Sequence, residues 1–540
     1  MNIPFWKTLC LIIAAMCASL LLSACGGGSS GATTAAPAGA VSLDVTDAPS
    51  MDFAHVYVTV KGIAFHTLDT AGSNTAGWQT VSLPAPVTVD LAQLANGRMY
   101  NDIAGTPLFH GISLPAGSYR QIRIFLAASE DPYVGSIAGL TYNNEVQLPN
   151  DATHYVLRIP TADEGIKLVP DSPVVVTAGG NVKLALDFNL NNDVVEVAPN
   201  SVKEFILKPR LGYFDMNSVG AVTGTVAFGN LSTSRFVIKA EQIKNGANYR
   251  VVRRWTTVDR TTGAFNLYPL PVFGNATTAT YDILLRGRKA QTAIITGVKI
   301  HKGTTLATGA VNLGTITVQT GTDFTAQMSA ALHPSGAWVN FYQTISGDPA
   351  PYEVRFRHLN PYTGTLWKPI ELSNSPIQVA TFDNANDVVG AFSADSSSQG
   401  SFSTVADAML YARGSATTVA AGISPVMFAP VAPTPQPNAN SISTTVTVPS
   451  MLMGMTSSHL FITLGGLIID SYDVSGLLPA GSGQFSHTID NLPGGTPAAP
   501  LAGAYYGVTV IGWGTGKVGV GTQRHLDLTT GNATASIMMK

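Results

Sequence analysis

Apolar residues recur at every second position in short runs along almost the whole chain. The runs include Val41, Leu43 and Val45, then Val56, Val58 and Val60, then Ile122, Ile124 and Leu126, then Val182, Leu184, Leu186 and Phe188. A period of two places one set of side chains on one face of an extended strand. Because Gly, Pro, Asn and Asp bound the runs, they read as antiparallel sheet with one buried face. The pattern continues through Phe236-Ile238-Ala240, Tyr281-Ile283-Leu285 and Tyr352-Val354-Phe356. Two stretches look briefly helical: VDLAQLANG (Val89 to Gly97) and STVADAMLYA (Ser403 to Ala412). The expected fold class is mostly β, with several antiparallel β-sandwich-like domains in tandem.

Such a fold must be stabilised by buried apolar surface alone. The 540 residues are 45% hydrophobic and 12% charged. Their three cysteines, Cys10, Cys17 and Cys25, all lie near the start. Downstream there is no thiol for a disulfide, a cysteine nucleophile or a cysteine zinc site. The net charge of −3 provides no basic footprint for nucleic acid.

The opening MNIPFWKTLCLIIAAMCASLLLSAC has one positive residue, Lys7, followed by an apolar run from Leu9 to Leu22. That run is short for a membrane span and ends in small residues, as a cleavable secretion signal does. Leu22-Ser23-Ala24-Cys25 resembles the lipobox of bacterial lipoproteins. The resemblance implies cleavage before Cys25 and acylation of its thiol, with each buried methylene contributing about 0.8 kcal/mol to membrane binding. Gly26 follows the cysteine, where an aspartate would signal retention at the inner membrane. The expected location is therefore the cell envelope, lipid-anchored at the outer membrane.

The expected organisation is a signal peptide over 1–24, an acylated cysteine with a flexible linker over 25–40, and a β domain over 41–217. A β-sandwich over 218–320 and a β-rich domain over 321–424 come next. A proline-rich linker over 425–442 then precedes a C-terminal β domain over 443–540. The linker, the change of pattern near Gly220 and the proline-rich stretch look like places that few contacts cross.

Two family resemblances sit on this frame. VSLDVTDAPSMDFAHVYVTVKGIAFH, Trp78, VDLAQL, LPAGSYRQIRIFL, EGIKL, LALDFN and FILKPRLGYFD occur in order between 41 and 215. This stretch resembles the bacterial domain-of-unknown-function family numbered four-three-eight-two, which implies a β-rich domain and no particular reaction. AVTGTVAFGN, TTGAFNLYPLP and YDILLRGR, between 219 and 320, resemble the carboxypeptidase regulatory-like domain, which implies a seven-stranded prealbumin-type sandwich. GQFSHTIDNLPGG followed by YYGVTV, ending at Val510, is similar to the same pattern.

Catalytic motifs are few. No histidine has a glutamate three residues away, and His-Glu-x-x-His is absent, so a histidine zinc site has no support. Gly27-x-Ser29-x-Gly31 has the nucleophile-elbow spacing but lies in the linker, without the strand and helix an elbow needs. Gly514-x-Gly516-x-x-Gly519 lies between strand-like runs and reads as a hairpin turn, not a dinucleotide site. Asp187, Asn189, Asn191 and Asp193 alternate oxygen side chains as a calcium loop does. Asn192 and Ala198 stand where such a loop has glycine and glutamate, so a polar turn ending a strand explains the same residues. Trp338, Phe341, Tyr342, Tyr352, Phe356, Tyr362 and Trp367 form a dense aromatic set. Trp338, Tyr342 and Trp367 are the candidates for stacking on a ligand, against core packing for the set as a whole.

These readings favour a non-enzymatic, membrane-anchored envelope protein that displays β domains for binding or structural support. Its expected partners are the membrane, through the lipid on Cys25, and an envelope glycan or protein. No cofactor is expected apart from calcium at the Asp187 loop. The alternatives are a carbohydrate- or peptide-binding surface protein, and a hydrolase whose carboxylates come together only in space.

Overall fold

A computed structural model describes residues 37–540 except 51, 74, 130, 160–161, 163, 197–202, 204, 209–210, 245–247, 331–336, 361–362, 409–410, 420–422, 428, 431–438, 465–466, 494–504 and 515. The signal, Cys25, the Gly27-x-Ser29-x-Gly31 motif, Tyr362 and the centre of the proline-rich stretch lie outside the described residues. Among the described residues, no helix is long and apolar enough to cross a membrane.

The first domain opens with β1 (Ala38–Ala48) and β2 (His55–His66), followed by β3 (Gln79–Asp90), β4 (Phe109–Pro115) and β5 (Gln121–Leu126). β6 (Asn181–Asn189) and β7 (Gly212–Asp215) close it. One sheet runs β7-β6-β1-β4; in the other, β2 lies beside β3 and β5. The alternating residues Val41, Leu43, Val58, Ile124 and Leu186 meet in one core between the sheets. Ala38, Gly39 and Ala40, expected in the linker, already belong to β1, where Ala40 pairs with Asn181 and Ala38 with Pro115. VDLAQLANG contributes one 3-10 turn, Leu91–Leu94, whose two leucines are buried.

Three sandwiches follow, and they share one strand order. The second domain has β8 (Val219–Ala227), β9 (Val237–Ile243), β10 (Arg250–Thr257), β11 (Ala264–Pro271), β12 (Thr278–Arg286), β13 (Ala293–His301) and β14 (Val311–Thr317). Its sheets run β11-β8-β14 and β10-β9-β12-β13.

The third has β15 (Asp323–Ala330), β16 (Trp338–Ile345), β17 (Asp348–His358) and β18 (Ile370–Ser373). An insertion with β19 (Ile377–Asp383) and β20 (Ser393–Asp395) comes before β21 (Ser401–Asp407), β22 (Gly414–Val419) and β23 (Ile423–Val426). Its sheets run β18-β15-β23 and β17-β16-β21-β22.

The fourth domain has β24 (Ala439–Val448), β25 (Met455–Leu464), β26 (Leu467–Asp473), β27 (Gly483–Pro493), β28 (Tyr506–Gly514), β29 (Lys517–Leu526) and β30 (Ala533–Met538). Its sheets run β27-β24-β30 and β26-β25-β28-β29. In all three sandwiches the first and last strands pair in parallel: β8 with β14, β15 with β23 and β24 with β30.

Several expectations change here. The described residues of STVADAMLYA are not helical: Ser403 to Asp407 lie in β21, central between β16 and β22, and Tyr411–Ala412 is strand. Phe402, Thr404 and Ala406 are buried on one face. A period of two that starts at Phe402, one residue before the segment, overrides its helix-forming alanines. The boundary near Thr320 is not a clean cut. β19 adds in parallel to β13, with Ala293 opposite Gln378 and Thr296 opposite Thr381, and Phe382 enters the second domain's core. Conversely, Leu284 and Ile294 of the second domain pack in the third domain's core.

The other junctions are crossed as well. Met99, Ala185, Phe214 and Val219 cluster between the first and second domains. Val195 and Ile206 of the first domain pack on Phe461, Ile511 and Trp513 of the fourth. Fully burying side chains of this size contributes about 1.5–3 kcal/mol each. The Gly514 to Gly519 segment is the turn between the antiparallel strands β28 and β29, with Gly514 opposite Lys517. Gly516 adopts φ +69 there, a conformation that glycine reaches without steric cost.

Candidate functional site: an arginine-lined cleft

The first three domains surround a cleft of about 870 Å³. Ten of the thirty basic residues of the chain line it, with five carboxylates. A chain of net charge −3 thus concentrates positive charge at one place, and low-dielectric walls focus such a field toward anions. Half of these cations come from the sequences RVVRRWTT in β10 and EVRFRH in β17. In β17, Tyr352 and Val354 point into the core while Glu353, Arg355 and Arg357 line the cleft, as a period of two dictates. In β10 the register shifts where Ala240 faces Arg254 and Glu241 faces Val252. This bulge leaves Arg253 as the extra residue and re-aims its neighbours.

Two arginines tie the domains together. Arg254 donates to the Asp187 carboxylate, and to the Thr46 hydroxyl and the Asp47 carbonyl, both at 2.9 Å. The parallel register of β1 and β6 sets Thr46 beside Asp187 and so assembles these acceptors. Burial, and then the neighbouring Asp187 carboxylate, push Asp47 well above the ordinary carboxylate range. Arg250 donates to Asp282 at 2.9 Å and to Asp348 at 2.5 Å, and stacks 3.7 Å from the Tyr352 ring.

Each of the five lining carboxylates is already held by a cation. Asp52 accepts from Lys368 at 3.0 Å, Glu353 from Lys239 at 2.7 Å and Asp407 from Arg413 at 2.7 Å. Asp187 is taken by Arg254 and Glu371 by Arg288. Beside them, Glu241 is buried, accepts the Glu353 N–H at 3.1 Å and keeps its Oε1 without a partner. Burial, set only partly against the Lys239 charge, pushes its pKa up to about 8.

Four lining arginines remain. Among the described residues, Arg235, Arg253, Arg355 and Arg357 have no carboxylate within ion-pair distance. Arg253 lies 4.6 Å over the Phe273 ring. Behind Arg355 and Arg357 lies Arg286, only 2% exposed, whose Nε and Nη2 have no hydrogen-bond partner. Burial first, and then the charges of Arg286 and Arg357, hold Arg355 well below the ordinary arginine value. Burial brings Arg286 down to about 10.

Three of the four oxygen residues picked out for calcium, Asp187, Asn189 and Asn191, line this same cleft. Asp187 meets Arg254. Asn191 accepts the Ser50 hydroxyl at 2.8 Å through its side chain, and its carbonyl meets His358 Nε2 at 3.0 Å. Asp193 is buried and accepts the Asn189 N–H at 2.9 Å. Among the described residues, no group of three or more His, Cys, Asp or Glu side chains is placed to hold a metal ion.

Trp338 and Tyr342, with Phe356, line the cleft, whereas Phe341 and Tyr352 are core residues. Trp367 lies outside the lining, its backbone N–H donating to the His358 carbonyl at 3.2 Å. The arginines are not among the site residues that sequence motifs single out, which are acids and aromatics. The available signal was arginine alternating with core residues on strands, in a chain with few charges.

No curated protein matches the chain. Among solved structures, the Bacillus anthracis TIE protein aligns with 9% identity and TM-score 0.14, covering 92% of this chain and 73% of its own. BcpA, the major pilin subunit of Bacillus cereus, aligns with 9% identity and TM-score 0.12, covering 59% of this chain and 99% of its own. A leucine-rich repeat protein from Bacteroides thetaiotaomicron aligns with 14% identity and TM-score 0.12, covering 52% and 26%. Scores this low carry no argument about fold or function. In the N-terminal third of the chain, residues 38–209 match the family profile described as Domain of unknown function (DUF4382).

Proposed function

We propose that this chain is a non-catalytic envelope protein, acylated at Cys25, that displays four packed β domains and binds a ligand in the cleft between the first three. The observation that carries the binding part is the convergence of ten cations on a cleft whose five carboxylates are all ion-paired. A glycoside hydrolase needs one carboxyl group kept protonated beside a second, unpaired carboxylate, and the lining provides no such pair. The strand order common to the three sandwiches supports reading 219–320 as a prealbumin-type, regulatory-like domain and extends that reading to the other two. Trp338, Tyr342 and Phe356 beside the arginines favour a carbohydrate over a peptide as ligand, because flat rings stack on sugar faces.

Two experiments test this. Metabolic palmitate labelling should mark the wild type and not Cys25→Ser; labelling that survives the substitution ends the anchor reading. A glycan array probed with soluble residues 38–540 should show selective binding. An array without any hit leaves structural support as the role.

A further inference from the structure

Six cations of the cleft are paired, and a second group of arginines in and behind its wall is not. Arg250, Arg254, Lys239, Arg288, Lys368 and Arg413 each have a carboxylate. Arg286, Arg355 and Arg357 cluster where β12 and β17 approach, and Arg235 acts electrostatically on Arg357. Among the described residues, no carboxylate lies within ion-pair distance of this cluster. The acids that act on it from farther away are Glu371 and Asp52, which Arg288 and Lys368 already bind, and Asp323, which accepts the Lys289 backbone N–H at 2.7 Å and keeps its Oδ1 without a partner. The Nε atoms of Arg286, Arg355 and Arg357 are all buried without a hydrogen-bond partner. Arginine does not solve this by losing its proton, because its ordinary pKa lies above 12. Like charges held together, with their Nε atoms buried and no carboxylate within ion-pair distance, are costly. A fold that keeps them has a use for an anion at that position.

We infer that the Arg355–Arg357 end of the cleft, backed by the buried Arg286, is a binding site for a tetrahedral oxyanion, a phosphate or sulfate group. The inference rests on the cleft being the ligand site and adds the chemistry of the ligand. Guanidinium forks match such a group with paired N–H···O bonds, shorter and stronger than neutral ones. The cleft, about 870 Å³ and continued by Trp338 and Phe356, is far larger than one oxyanion. It therefore has room for the body that carries the group, such as a sugar ring.

The test uses soluble residues 38–540 at constant ionic strength, with inorganic phosphate, inorganic sulfate, glucose 6-phosphate, glucose 6-sulfate, glucose and chloride as probes. Melting temperature and calorimetric titration are the readouts. The oxyanions and their esters should raise the melting temperature by several degrees, because a ligand that binds only the folded state stabilises it. Chloride and glucose should not. Tighter binding of the sugar esters identifies an ester as the ligand, and equal binding identifies the free ion; either agrees with the site. Arg355→Met and Arg357→Gln should each weaken binding by about tenfold or more, while melting at or above the wild-type temperature without ligand. A wild type indifferent to every oxyanion overturns the inference, and so does a shift that both variants retain. The Cys25 labelling result is independent of either outcome, so the anchor reading and this one fail separately.

Discussion

The two ends of the cleft use the same side chain in opposite ways. At one end, Arg250 and Arg254 are buried and matched, each by two acceptor residues or more drawn from separate parts of the chain. At the other, Arg286 is buried and Arg355 and Arg357 are half-buried, and among the described residues none of them has a carboxylate within ion-pair distance. Desolvating a guanidinium costs several kcal/mol in either place. Where acceptors offset that cost, the arginine is a joint between domains. Where they are missing, the arginine is a standing demand for an anion. The same charge type thus serves structure or binding according to what the fold sets opposite it.

The largest expected effect breaks the matched end. Arg254→Met leaves Asp187 and Asp47 buried without their cation and should lower stability by about 3–5 kcal/mol, as loss of one partner of a buried pair does. Urea denaturation of residues 38–540 reads this directly. A loss below about 1 kcal/mol would make Arg254 equivalent to a surface charge and erase the contrast.

The next effect depends on pH. Glu241 has a folded pKa raised from 4.5 to about 8 by burial. Between those values the folded state keeps a proton that the unfolded state releases. Stability therefore falls as pH rises through that window, by up to about 1.4 kcal/mol per pH unit from this group. Glu241→Gln should flatten that slope. An unchanged slope in the variant would assign the dependence to other groups, such as Asp44, which burial raises to about 6.

A smaller effect of opposite sign sharpens the comparison at the unmatched end. Without added anion, Arg355→Met should be neutral or stabilising by about 1 kcal/mol, since it removes an unpaired charge and keeps apolar volume. A loss comparable to that of Arg254→Met would show that Arg355 has a structural counter-charge after all.

The smallest effect is expected from calcium. Arg254 already occupies Asp187 and the cleft lining is cationic, so millimolar calcium should leave the melting temperature unchanged. A rise that Asp187→Asn with Asp193→Asn abolishes would instead put a metal site at this rim.

The class of fold and many strand positions could be read from the sequence, because a period of two is a local property of consecutive residues. Val41 to Val45, Val182 to Phe188 and Tyr281 to Leu285 lie in strands, as their alternation requires, although packing between domains also buries the opposite face at Ala185 and Leu284. The match of residues 38–209 to a family profile was legible for the same reason, as an ordered set of short motifs. The repeated sandwich order was not. Its defining contact is a parallel pairing between strands some ninety residues apart, such as Val222 with Val311 and Ile442 with Ala533, and many different side chains satisfy it.

Only the tertiary structure decided the rest. Adding β19 to the second domain's sheet depends on the free edge of β13, which no window of sequence reveals. The cleft depends on bringing together Arg254, Arg286 and Arg355 with Asp187, residues that are far apart in the chain. Backbone alternation is short-range and the sequence carries it openly. Which charge meets which counter-charge is set by domain packing, and so is whether an arginine becomes a joint or waits for a ligand.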